Sequence, residues 1–112
     1  MKITTDHRYS KICAYIMTGE YFASGDDIIV QTVLGSCVSV CLFSERSPYS
    51  GMNHFMLPGT PLDTRRLAGF SSEAGLYGLY SMEVLINDLM KNGVQRNEMK
   101  AKVFGGGSVL KD

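Results

Sequence analysis

Among the side chains able to do covalent chemistry, Cys37 has the most suggestive setting. It follows Leu34-Gly35-Ser36, and the glycine lets the backbone turn sharply and expose its amide N–H groups. Such amides can hold an oxyanion while a thiolate attacks a carbonyl. On local sequence alone the stronger reading is still a small buried hydrophobe beside Val38. Cys41 and Cys13 lie inside apolar runs without a glycine turn and read as packing residues. His54 sits in Asn53-His54-Phe55-Met56-Leu57 and must satisfy two ring nitrogens inside an apolar stretch. That is costly without partners. It is therefore either a hydrogen-bonded core histidine or a base that activates a nearby thiol. His7, in a polar segment, reads as solvated.

Other chemistries fit less well. Three cysteines and two histidines could supply metal ligands, but there is no Cys-x-x-Cys pair. The Cys37–Cys41 spacing is not a usual zinc spacing either. Gly105-Gly106-Gly107 lacks the Lys-Ser/Thr of a phosphate loop. Eleven basic and eleven acidic residues cancel, and no basic stripe is present. The composition argues against nucleic acid and for a protein or small-molecule partner. No apolar run reaches the length of a membrane span, and residues 1–10 lack a signal peptide's apolar segment. A cytoplasmic location follows as the expectation, with all three thiols reduced.

The elements that must position Cys37 and His54 come next. A length of 112 residues and a 45% hydrophobic fraction fit one domain. Residues 1–10 read as a loose lead-in. Lys11–Met17 is a short strand candidate, and turn signals at 18–20 and 24–27 flank Tyr21-Phe22-Ala23. Residues 28–34 are rich in β-branched side chains and read as a buried strand. From Cys37 to Phe43 the chain alternates, with Val38, Val40 and Leu42 on one face and Cys37, Ser39 and Cys41 on the other. Residues 44–50, with Pro48, read as a loop, and Met52–Leu57 as a strand stopped by Pro58-Gly59. Residues 58–70 read as an exposed loop. Leu79, Met82, Leu85, Ile86, Leu89 and Met90 recur at helical spacing, with Ser71 or Ser72 as N-cap and Gly93 at the C′ position. Lys100–Phe104 is a last strand. A simple hairpin closed by the 44–50 loop sets His54 near Val40, about 10 Å along the strand from Cys37. The pair can then meet only if Cys37 lies on a bent strand start, a bulge or a short helix.

Three segments together resemble one family. They are Gly19-Glu20-Tyr21, the run from Thr32 to Leu42 containing Leu34-Gly35-Ser36-Cys37, and Gly51 to Pro58 containing Asn53-His54-Phe55-Met56-Leu57-Pro58. The family is that of the chemoreceptor glutamine deamidases, the CheD family of bacterial chemotaxis. The resemblance implies an α+β fold: a three-layer α/β/β sandwich of mixed, mostly antiparallel sheets with one principal helix. It implies hydrolysis of particular glutamine side chains in methyl-accepting chemoreceptors to glutamate and ammonia, without metal or organic cofactor. Cys37 and His54 match its cysteine and histidine. Its third catalytic member is commonly a threonine six residues before the cysteine, where Gln31 stands here. Thr32, one residue later, is taken as that member. The implied partners are chemoreceptors and, for some members, the chemotaxis phosphatase CheC; nucleic acid and membrane insertion are not expected. Residues 1–112 are expected to form a single domain that lacks the family's C-terminal segment. Two other readings compete: a non-catalytic adaptor that docks on receptors or CheC, and a thiol sensor using Cys37 and Cys41.

Overall fold

The computed structural model of the chain describes residues 1–56 and 73–105, the side chains of 73–77 excepted. The Ser71/Ser72 cap, the Pro58-Gly59 stop and the 58–70 loop lie outside the described residues. Two sheets form. Strands β1 (Lys2–Asp6), β2 (Lys11–Tyr15) and β4 (Ile28–Gln31) make a three-stranded sheet in the order β1-β2-β4. In it β1 runs antiparallel and β4 parallel to β2. Strands β3 (Tyr21–Ser24), β6 (Ser47–Asn53), β5 (Val38–Ser44) and β7 (Lys100–Gly105) make an antiparallel sheet in the order β3-β6-β5-β7. Helix α1 (Glu73–Lys91) packs on β6 and β3. The result is an α+β sandwich of helix, four-stranded sheet and three-stranded sheet.

The alternation of β5 builds the core. Val38, Val40 and Leu42 are buried with Phe55, Leu85, Leu89 and Val94 between the four-stranded sheet and the helix. The opposite face of β5 turns Ser39 toward the three-stranded sheet. Ser39, Met52 and Phe104 there share a cavity of about 350 Å³ with Val30, Gln31, Thr32 and Leu34.

The helix comes unusually close to β6 at Gly51. A Cβ at that position would lie 2.7 Å from Leu85 Cδ1 and 2.8 Å from Ala23 Cβ. The helix ends as its sequence predicts, with Gly93 at φ +94° and the Val94 amide bonded to the Leu89 carbonyl at 3.0 Å. The buried stripe is narrower than the periodicity implies, because Leu79 and Met90 are exposed while Leu85 and Leu89 are wholly buried.

Two expectations about elements are corrected. Residues 1–10 are not a lead-in: Lys2–Asp6 is a paired edge strand, almost wholly exposed. With no face to bury, it carries no apolar alternation to read. Residues 44–50 are not one loop either. Only Glu45 and Arg46 separate β5 from β6, and Pro48 lies within β6. One residue of β5, Phe43, faces three of β6, Pro48 to Ser50, between the Leu42–Gly51 and Ser44–Ser47 pairs. Pro48 occupies this irregular stretch, where its missing N–H costs no ladder bond.

Candidate functional site

The irregularity near the β5–β6 turn sets the register further along. Cys41 pairs with Met52, and Val38 with Phe55. The Val38 and Phe55 amides each donate to the other's carbonyl at 2.8 Å. By continuation His54 lies opposite Ser39, not Val40 as the simple hairpin would have it. Cys37 and His54 flank the Val38–Phe55 pair and share the face opposite to it. Diagonal neighbours of this kind stand roughly 7–8 Å apart at Cα, less at Cβ. Cys37 is half-buried at a bent strand start, just after the exposed Gly35-Ser36 bend. No hydrogen bond joins the Cys37 sulfur to the His54 ring.

His54 itself is 5% exposed and is bonded through both its backbone and its ring. Its backbone N–H donates to the Glu20 carbonyl at 3.1 Å, and its carbonyl accepts from the Gly19 amide at 2.7 Å. Beside it Asn53, also buried, accepts from the Val40 amide at 2.9 Å and so ties the end of β6 to β5. The ring lies between two threonines: Nδ1 is 2.7 Å from Thr32 Oγ1, and Nε2 is 3.3 Å from Thr18 Oγ1.

The two contacts of Thr32 favour one tautomer. Its hydroxyl donates its single proton to the Ile16 carbonyl at 2.8 Å. Its oxygen can then meet Nδ1 only as an acceptor, so Nδ1 carries the hydrogen and Nε2 keeps the lone pair. Burial pushes the His54 pKa below its ordinary value, which favours the neutral ring.

The two neighbouring candidates, Gln31 and Thr32, separate at the end of β4. Gln31 is the last strand residue, and its Oε1 accepts from the Cys13 thiol at 3.5 Å. Its carbonyl accepts from the Ile16 amide at 2.9 Å, which extends the β2–β4 pairing by one step. Thr32 follows just outside the strand and reaches His54. Cys13 is buried, while Cys37 and Cys41 are both half-buried. Burial also raises the Cys41 pKa. Three extended residues lie between Cys37 and Cys41, a rise of about 13 Å that is well beyond disulfide reach and argues against the paired-thiol sensor.

Sequence reading did not find Thr18, Asn53 or the Ile16 carbonyl. A buried Asn beside a buried His was a usable signal, since both need partners. Thr18 carried none beyond a turn. Among the described residues no three His, Cys, Asp or Glu side chains converge as a metal site would require. No described helix is long and apolar enough to cross a membrane.

The α+β sandwich thus carries an imidazole bonded at Nδ1 to Thr32 and at Nε2 to Thr18, on the same sheet face as the Cys37 thiol. The chain belongs to the CheD family: its residues 56–112, half of the chain, match the family described as CheD chemotactic sensory transduction. It is 50% identical over 106 residues to a probable chemoreceptor glutamine deamidase CheD of Methylobacillus flagellatus, covering 94% of this chain and 51% of that protein. A probable chemoreceptor glutamine deamidase CheD 1 of Albidiferax ferrireducens is 47% identical over 105 residues, 94% of this chain and 42% of that one. Another CheD 1 protein of that description, from Shewanella oneidensis, is 43% identical over 95% of this chain and 50% of its own length. The chain spans about half the length of these curated relatives.

Proposed function

We propose that this protein deamidates glutamine side chains of methyl-accepting chemoreceptors in the cytoplasm, with Cys37 as nucleophile, His54 as base and Thr32 as the residue that orients it. The observation that carries this reading is the bonding of Thr32. Because its proton is committed to the Ile16 carbonyl, the lone pair of His54 is left on Nε2, away from the clamp. A neutral, buried base is suited to taking a proton from a thiol. The relatives described as probable chemoreceptor glutamine deamidases supply the substrate class.

In the reaction, the Cys37 S–H proton passes to His54 Nε2 as sulfur attacks the glutamine side-chain carbonyl carbon. Amides of the Gly35–Cys37 bend stabilise the oxyanion that forms. The tetrahedral centre collapses, and the amide nitrogen leaves as ammonia with the proton from the imidazolium. Neutral His54 then removes a proton from water, whose oxygen attacks the thioester carbon. Sulfur departs, regains its proton, and leaves glutamate. The scheme uses no metal or organic cofactor. Thr32 orients the ring but cannot offset the imidazolium charge as a carboxylate would. Docking on the phosphatase CheC belongs to the same reading.

The test is mass spectrometry of a chemoreceptor cytoplasmic fragment incubated with this protein. Conversion of a glutamine to glutamate that is lost in Cys37→Ala supports the assignment. A fragment that binds but stays unmodified would make the chain an adaptor.

A further inference from the structure

Thr18 lies on the far side of the His54 ring from Thr32. It is exposed, in the short turn between β2 and β3, and its hydroxyl is 3.3 Å from Nε2. That turn is anchored firmly. The Glu20 carboxylate accepts from the Met17 amide at 2.8 Å, and the backbone of Gly19 and Glu20 bonds the carbonyl and the amide of His54 along its β3 edge. Since Nδ1 carries the ring hydrogen, Nε2 can only accept, and the Thr18 hydroxyl must be the donor. The lone pair assigned above to Cys37 is therefore already engaged in the resting protein, by a side chain at the surface. A separation of 3.3 Å is long for a hydroxyl donor, so the bond is weak and readily exchanged.

We infer that Thr18 is a resting latch on the catalytic base: its hydroxyl occupies His54 Nε2 until an arriving substrate segment turns it aside and frees Nε2 for the Cys37 thiol. The inference rests on the Cys37–His54 reading and adds to it a control on when the thiol is activated. Thr18 acts through His54 and is a positioning residue. The backbone of its turn is held, so release requires only rotation of an exposed side chain, which is a fast event.

The test measures alkylation of Cys37 by iodoacetamide in the full chain without substrate, followed by peptide mass spectrometry so that Cys13 and Cys41 are read separately. Wild type is compared with Thr18→Val, Thr18→Ser, His54→Gln and the Thr18→Val/His54→Gln double variant. Valine keeps the shape and removes the donor. Loss of one such bond is expected to raise the Cys37 rate roughly two- to tenfold. Thr18→Ser should restore the wild-type rate, His54→Gln should lower it, and Thr18→Val should add nothing when His54 is absent. The latch is overturned if Thr18→Val leaves the rate unchanged or slower while His54→Gln still slows it; the thiol–imidazole pair then stands without a latch. It is overturned too if the gain persists in the double variant or extends to Cys13 and Cys41, since that marks general loosening. If His54→Gln alkylates as fast as wild type, the Cys37–His54 pair itself fails.

Discussion

At His54 the decisive quantity is the number of protons available to its neighbours. Thr32 has one hydroxyl proton and two contacts, at the Ile16 carbonyl and at Nδ1. Thr32→Val keeps the shape and strands both partners in a mostly buried place, a cost of about 1–3 kcal/mol in stability. On the proposed reading it also loses the ring's orientation, and deamidation of a receptor fragment should fall by roughly 10- to 100-fold, as for residues that hold a working side chain in place through a hydrogen bond. Gln31→Ala, whose side chain meets Cys13 instead, should stay near wild type in the same kinetic comparison. A reversed order of effects would move the orienting role to Gln31. The burial of His54 also predicts a pH dependence. Its folded pKa lies below the unfolded value of about 6.5, so on acidification the unfolded chain binds the proton first. The stability contribution of His54 is full above that value and is lost as pH falls toward the folded pKa. Urea midpoints measured across this range should drop on the acid side, and the drop should be smaller in His54→Gln.

Helix α1 meets the four-stranded sheet through two different kinds of contact. Leu85 is wholly buried against β5 and β6, and Leu85→Ala should cost about 2–5 kcal/mol in chemical denaturation. The second contact is polar. The Asp88 carboxylate accepts from the Tyr21 hydroxyl at 2.8 Å and the Tyr49 hydroxyl at 2.7 Å, fastening the helix to β3 and β6. Helical periodicity places Asp88 with Glu83 and Asn87 on the solvent side; those two are exposed, but Asp88 is half-buried. Burial first, and the bond to Asp88 second, push the Tyr49 pKa up to about 12. Asp88→Ala should bring it down only part of the way, because the burial remains. Ultraviolet titration of the phenols against the wild-type curve reads this directly; an unchanged Tyr49 would mean that Asp88 contributes nothing.

Across the whole molecule, the site is also a seam between the two sheets. His54 follows β6 of the four-stranded sheet, whereas Thr32 and Ile16 follow β4 and β2 of the other. The hydrogen bonds that set the tautomer therefore also join the layers. The helix-side core does not include the three-stranded sheet, whose buried residues Cys13, Ala14 and Ile16 lie elsewhere. Unequal local stability follows from such an arrangement. In Thr32→Val, hydrogen exchange should accelerate more at the β2 and β4 amides than at those of β5 and β6. Equal acceleration in both sheets would show that the seam carries no separate share of stability.

Period and local chemistry alone determined β5, with its valines and Leu42 on one face and Ser39 and Cys41 on the other, because a strand side's burial repeats every second residue. The same holds for the helix that buries Leu85 and Leu89 and ends at Gly93. The Leu34-Gly35-Ser36-Cys37 and Asn53-His54 segments, with their spacing, pointed to the family. Tertiary structure alone decided the rest. Strand β1 exists because β2 offers it an edge, not because its residues have a face to bury. The register that sets Cys37 diagonal to His54 depends on Phe43 facing three residues of β6, and no local pattern encodes that count. Thr18 and His54 are 36 positions apart, and Tyr21 and Asp88 are 67. Hydrogen bonds over such separations leave no periodic trace in a sequence, since each requires only that two polar side chains be brought together by elements packed for other reasons.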